Sequence, residues 1–274
     1  MPDSARFVMR CAALAACLSI QQVAQAGAQV PQPVVAPAPP QPEFLPRYNF
    51  HLSAYELLHG DDGTERFSWD THFGGSLDLI DYVRGRASIL IDYQAVLGNE
   101  FRPFDPNQGN YILEASASGR AGAVEIAGVL HHVSRHLSDR PKRPAIAWNT
   151  LGGRVLRRVS SGAATFDASF ELARVVQRAF VDYTWIGGAE VQVRRDVNPH
   201  VAVFAHAAGQ LYGVTDGQPS RGAQRAGMVE AGVRLNGPRG ALELFAGLER
   251  RIDAYPLERV PHHWGLAGFR LLSR

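Results

Sequence analysis

From Tyr48 to the C-terminus the chain alternates apolar and polar residues with period 2, in runs of ten or more residues. That period puts successive side chains on opposite faces of an extended strand. In 87–95, Ala87, Ile89, Ile91, Tyr93 and Ala95 oppose Asp92 and Gln94. In 181–193, Val181, Tyr183, Trp185, Ala189, Val191 and Val193 oppose Asp182, Thr184, Glu190 and Gln192. In 228–235, Val229, Ala231, Val233 and Leu235 oppose Glu230 and Arg234; in 241–249, Leu242, Leu244, Ala246 and Leu248 oppose Glu243 and Glu249. No helical period competes with this pattern, so the chain reads as all-β.

The pattern predicts twelve strands, near 47–58, 65–80, 85–97, 109–119, 122–134, 146–158, 163–175, 180–195, 199–213, 225–236, 240–251 and 262–273. Their connections alternate in length. Short links fall near Asp81–Arg84, Arg120–Ala121, Ser160–Gly162, Asp196–Asn198 and Asn236–Arg239. Long ones fall near His59–Thr64, Gly98–Gln108, Arg135–Ala145, Val214–Gln224 and Ile252–Pro261, with Val176–Ala179 as a short exception. Transmembrane barrels have this rhythm of short periplasmic turns and longer outer loops. The runs exceed the ~9–11 residues that a tilted strand needs to cross a bilayer. A soluble periplasmic sandwich is the competing arrangement, but its strands usually run ~5–6 residues. The expectation is a single antiparallel transmembrane β-barrel of about twelve strands over 47–274. An even strand count places both of its ends on the periplasmic side.

The segment before the barrel fits that placement. Residues 1–26 read as an export signal: Arg6 and Arg10, the apolar stretch Cys11–Ile20, then the small-x-small site Ala24-Gln25-Ala26. Cys11 and Cys17, the only two cysteines, leave with it. Leu14-Ala15-Ala16-Cys17 is an alternative, lipoprotein-type site that would lipidate Cys17. Residues 27–46 hold seven prolines from Pro31 to Pro46 and read as a polyproline-like linker. Lys and Arg number 28 against 26 Asp and Glu, a net charge of +2, which is too balanced for a nucleic-acid binder. No apolar run reaches ~18 residues, so no membrane-spanning helix is expected.

Over 47–274 the chain resembles bacterial outer-membrane β-barrels. The resemblance implies lipid partners and the barrel-assembly machinery. Many such barrels end in an aromatic residue, whereas here Phe269 lies five positions inside the C-terminus. The lumen face carries both signs of charge: Asp70, Asp78, Asp92, Glu114, Glu125, Asp167, Glu171, Asp182, Glu190, Glu230 and Glu243 with Arg120, Arg154, Arg158, Arg194 and Arg234. In a narrow interior such groups satisfy one another. That favours a rigid, charge-filled barrel or a narrow channel over a wide diffusion pore.

One segment carries the makings of chemistry: His131-His132-Val133-Ser134-Arg135-His136-Leu137-Ser138-Asp139-Arg140, followed by Trp148-Asn149. The strand phase sends His132, Ser134 and Asn149 outward, toward lipid, at the outer-loop ends of neighbouring strands. Polar groups facing lipid are costly unless used. A serine beside a histidine, with an amide to orient the imidazole, is the layout of an activated nucleophile. Ser134 would attack an ester carbonyl, His132 would serve as base, and Asn149 would fix the histidine tautomer. The pattern His132-Val133-Ser134 with Trp148-Asn149 resembles the outer-membrane phospholipase A family. That resemblance implies a twelve-stranded barrel, a Ser-His-Asn site, dimerisation and calcium dependence. The lipid A deacylases share a His-x-Ser with a Glu as third member. The phospholipases place Asn-Gly after the serine, where Arg135-His136 stand here, and their Asn follows sooner than Asn149 does. His132-x-Ser134-x-His136-Leu137-x-Asp139 is also similar to a motif of an uncharacterised family of outer-membrane barrels.

Two lesser signals accompany it. Arg135, Arg140, Lys142 and Arg143 make the third outer loop basic, which suits lipopolysaccharide phosphates. His131, His132, His136 and Asp139, with His262 and His263, form a set of candidate metal donors. The expectations are thus a non-enzymatic envelope or narrow-channel barrel, and alternatively a lipid-acyl ester hydrolase of the phospholipase or lipid A deacylase type. No cofactor is expected beyond the calcium that the phospholipase resemblance implies.

Overall fold

The computed structural model describes residues 34–58, 66–137, 145–215 and 221–273. Among these residues are twelve strands: β1 (Glu43–Leu58), β2 (Trp69–Asp81), β3 (Arg86–Gly98), β4 (Asp105–Ala121), β5 (Val124–Leu137), β6 (Ile146–Ser161), β7 (Ala164–Ala179), β8 (Tyr183–Asn198), β9 (Val201–Val214), β10 (Gln224–Asn236), β11 (Gly240–Arg251) and β12 (His262–Ser273). Each pairs antiparallel with its sequence neighbours, and β1 meets β12 from His51↔Leu272 to Leu58↔Gly265, closing the barrel. Closure leaves no unpaired backbone edge, as hydrocarbon surroundings demand. The outward face is apolar: Phe50, Ile91, Leu130, Leu151, Leu172 and Leu244 are each about half exposed. The fold is a closed barrel with an apolar outward face, as a membrane-spanning wall requires.

Three local departures from the sequence pattern have physical causes. β1 starts at Glu43, within the segment read as linker. A bulge between Phe44 and Arg47 lets Pro46, which cannot donate, sit inside a strand. The short link expected at 176–179 is strand instead, and the turn falls at 180–182. A second bulge, at Tyr183/Trp185, turns the Tyr183 ring inward, although the period-2 pattern grouped it with the lipid-facing residues. Gly122 and Gly162 hold positive φ in two of the short turns, where a side chain would be strained.

The lumen holds more apolar matter than the charged pattern predicts. Tyr55, Phe204, Phe245, Trp264 and Leu266 are buried in one cluster with Ala254 and Tyr255 from the last outer loop. That loop folds into the outer mouth. Gln108 donates to the Ala254 carbonyl at 2.7 Å and Arg135 to the Asp253 carbonyl at 2.6 Å. The Asp253 carboxylate accepts from Tyr183 Oη at 2.5 Å and from Arg221 at 2.5 and 2.8 Å, and Arg221 also reaches Asp182.

Burial alone would raise the Asp253 carboxyl, but Arg221 and the Tyr183 hydroxyl outweigh it and hold it below the ordinary value. A carboxyl depressed in the folded state lends stability that is complete above its unfolded pKa of about 4, and loses it as pH falls through the lower folded value. Hydrogen-exchange protection factors at 252–255 should therefore hold from neutral pH down to about pH 4 and decline below it. Asp253→Asn should abolish that acid dependence. A decline centred well above pH 4 would assign the latch to another group.

Candidate functional site

β5 and β6 fix the phase of every residue in the motif. On β5, Glu125, Ala127, Val129 and Val133 are buried while Ile126 and Leu130 are exposed. The even positions therefore face lipid, and His132, Ser134 and His136 share that face. His131 and Arg135 face the lumen. On β6, Trp148, Thr150 and Arg154 are buried and Leu151 and Val155 exposed, so Asn149 faces lipid. The register sets His132 opposite Asn149 and Ser134 opposite Ala147 on one side, and Ser134 opposite Tyr111 on the other.

The side chains form two hydrogen-bonded groups on this face. His132 Nδ1 lies 2.6 Å from Asn149 Oδ1. Asn149 Nδ2 donates to Gln177 Oε1 at 2.8 Å. One residue further along the face, Ser134 Oγ lies 2.8 Å from His136 Nε2. The structure thus brings His132 and Asn149 together as a pair. It places Ser134 on the same face but gives its hydroxyl to His136 rather than to His132. Because the Asn149 oxygen can only accept, His132 Nδ1 is the donor in this contact and Nε2 points away from it.

The sequence pattern ends the seventh strand at 175 and reads 176–179 as a link, so it gives Gln177 no face, whereas β7 runs on to Ala179. Along β7, Ala173 is buried and Val175 packs inward, so a strict period of two would send Gln177 into the lumen. A bulge pairs Thr150 with Val175 and Asn149 with Gln177, leaving Val176 extra. The bulge re-aims Gln177 outward beside Asn149, a recurrent use of such irregularities. The sequence signal is the consecutive Val175-Val176, which breaks the alternation.

The level of the site in the wall is marked by aromatic rings. Phe73 and Tyr93 centroids lie 5.4 Å apart, Tyr93 and Tyr111 5.1 Å, and Tyr111 and His136 5.3 Å at 85°. This row crosses β2 to β5 near their outer-loop ends, where barrels carry an aromatic girdle at the membrane–water interface. Leu113, Leu130 and Leu151 continue the face toward the hydrocarbon side. Lipid acyl esters lie at that same boundary.

The other candidates are dispersed. Arg135 points into the lumen, stacks over Trp148 at 5.5 Å and holds the Asp253 carbonyl, so it does not belong to an outward basic patch. Arg140, Lys142, Arg143 and Asp139 lie outside the described residues. His131 lines the lumen, whereas His132 and His136 face lipid, so the barrel wall separates them. His262 stacks on Trp264 at 5.5 Å inside the barrel, and His263 faces outward. Among the described residues no group of three or more His, Cys, Asp or Glu is placed to hold a metal ion.

No protein-family model and no curated protein sequence matches the chain. Solved structures do. The outer membrane phospholipase dimer with bound calcium from Salmonella typhi superposes with a TM-score of 0.50 at 12% identity, over 83% of this chain and 90% of that one. Outer membrane phospholipase A from Escherichia coli gives 0.49 at 11% identity, over 82% and 92%. LpxR from Salmonella typhimurium gives 0.47 at 10%, over 82% and 99%. At such identities the likeness concerns architecture alone, and that architecture is the bacterial outer-membrane β-barrel.

Proposed function

We propose that this barrel is a lipid-acyl ester hydrolase working at the outer interface of the membrane, with Ser134 as nucleophile, His132 as base and Asn149 as its orienting amide. The observation that carries the reading is the 2.6 Å contact between His132 Nδ1 and Asn149 Oδ1 on the lipid-facing wall. It leaves Nε2 free in the tautomer that general-base catalysis needs. A rotation of Ser134 about χ1 moves its hydroxyl from His136 toward His132. Ser134 Oγ then adds to the acyl carbonyl as its proton passes to His132 Nε2. Collapse expels the lipid alcohol, which takes that proton, and leaves an acyl-serine. Water, deprotonated by His132, releases the fatty acid and restores the serine.

The test is fatty-acid release by the refolded mature chain from phospholipid micelles and, separately, from lipid A, in buffers with and without calcium. Release from either, with the folded barrel confirmed by its heat-shifted mobility on a gel, supports the reading. No release from either substrate in either buffer overturns it. The second reading is a non-enzymatic envelope barrel. It is favoured by the Ser134–His136 bond, which satisfies the hydroxyl without catalysis, and by ion pairs that cross the lumen, such as Arg154–Glu114 and Arg270–Glu230.

Gln177 supplies a graded check. It donates nothing to substrate but fixes the Asn149 amide so that Oδ1 faces His132. Gln177→Leu frees the amide to flip, at a cost near that of one neutral hydrogen bond, about 1 kcal/mol. The expected result is a fall in kcat of about five- to tenfold with KM unchanged. An unchanged kcat would remove Gln177 from the site.

A further inference from the structure

The residues before β1 do not hang free in the periplasm. Val34, Val35, Ala36 and Pro37 lie within the barrel's periplasmic mouth, and Ala36 is only 8% exposed. Two lumen arginines hold them. Arg86 Nη2 donates to the Val34 carbonyl at 2.7 Å, and Arg47 Nη1 to the Pro37 carbonyl at 3.1 Å. Both arginines are anchored elsewhere: Arg86 on Glu125 at 2.8 Å and Asp78 at 3.3 Å, Arg47 on Asp78 at 2.8 Å and on Asp81. Each thus spends one spare donor on the backbone of the incoming segment.

The segment crosses the opening. Arg47 and Arg86 stand on β1 and β3. Val34 and Val35 reach Leu156, Asp167, Ser169, Glu190 and Gln192 on β6, β7 and β8, across the ring, with a gap of only about 20 Å³ between. An extended backbone such as Val34-Val35-Ala36-Pro37 suits this position. It makes no internal hydrogen bonds, so its carbonyls need donors from outside. Above it lies a cavity of about 380 Å³ that shares Leu90, Glu114, Glu190 and His206 with a second cavity of about 160 Å³ beneath the outer loop.

We propose that the periplasmic half of the lumen is a binding site for an extended segment, that residues 34–37 of this chain are its occupant, and that they plug the cavity behind them. The inference is independent of the serine site, which faces the other side of the wall. Its chemistry is specific: two fixed guanidinium donors for backbone carbonyls, and small apolar side chains against β6–β8.

Ser116 lines the cavity above the plug and reports on it. In the mature chain refolded in micelles, Ser116→Cys is the single thiol, and its labelling rate by a charged, water-soluble maleimide is measured. Three forms are compared: the intact leader, a chain lacking 27–42, and the intact leader with Ala36→Asp, which forces a charge into the buried position. Both changes should speed labelling by about tenfold or more. Equal rates in all three forms would overturn the proposal. If the truncated chain does not refold, the Ala36→Asp rate alone decides it.

Discussion

Ser134→Ala should lower fatty-acid release by on the order of 10⁴-fold or more, while the barrel keeps its heat-shifted mobility on a gel. Serine contributes no packing to the core, because it lies on the outward face of β5 at the aromatic girdle. Loss of activity with the fold intact therefore isolates the nucleophile. The two flanking histidines sharpen the test. His132 is fixed by Asn149 and, through it, by Gln177, whereas His136 touches Ser134 directly and stacks edge-on against Tyr111. A base held by an amide in the correct tautomer contributes typically 10²- to 10⁴-fold. His132→Ala should cost that much, and Asn149→Ala part of it. His136→Ala should leave kcat close to wild type, since His136 only holds the hydroxyl at rest. The reverse order would keep the serine and transfer the base to His136. Equal activity of Ser134→Ala and the unaltered chain would end the enzyme reading altogether.

Much of this architecture is legible in the sequence because a barrel wall obeys one rule over its whole length. Lipid outside and a packed interior inside impose period 2 on every strand, and twelve strands repeat it. The outward placement of His132, Ser134 and Asn149 follows from phase alone, as does the inward placement of Glu114, Arg154, Glu230 and Glu243. What phase cannot convey is a break in phase. The bulges at Val176 and near Tyr183 each move one residue to the opposite face, and they set Gln177 beside Asn149 and Tyr183 against Asp253. Rotamers are equally invisible, so the choice of Ser134 between two histidines on the same face emerges only in three dimensions. The inward fold of 252–255 and of 34–37 was hidden because neither segment carries a strand period.

Arg270→Met should be the most destabilising single change in the lumen. The Arg270 side chain is 7% exposed and serves two carboxylates at once, Glu230 at 2.9 Å and Glu243 at 2.7 Å, while its guanidinium lies 4.8 Å over the Phe245 ring. Removing one member of a buried ion pair strands its partners in a low dielectric, at a cost of about 3–5 kcal/mol. Here the remaining help is partial: Glu230 keeps His206 at 3.4 Å and Glu243 keeps Arg234 at 3.0 Å. The position matters as much as the charge. Arg270 pairs across the closing seam with Ser53 of β1, so the network fastens β10, β11 and β12 where the barrel must shut. Arg158→Met makes the control. Its partner Asp167 is also close, at 2.6 Å, but Arg158 is 35% exposed at the periplasmic rim, where water screens the pair and the expected loss is about 0–1 kcal/mol. Urea midpoints of the two variants in micelles should separate clearly. Adding Glu230→Gln and Glu243→Gln to Arg270→Met should recover much of the loss, because neutral amides leave no stranded charge. Coincident midpoints for Arg270→Met and Arg158→Met would mean that water reaches the seam and that the apolar cluster, not the ion pairs, holds the barrel closed.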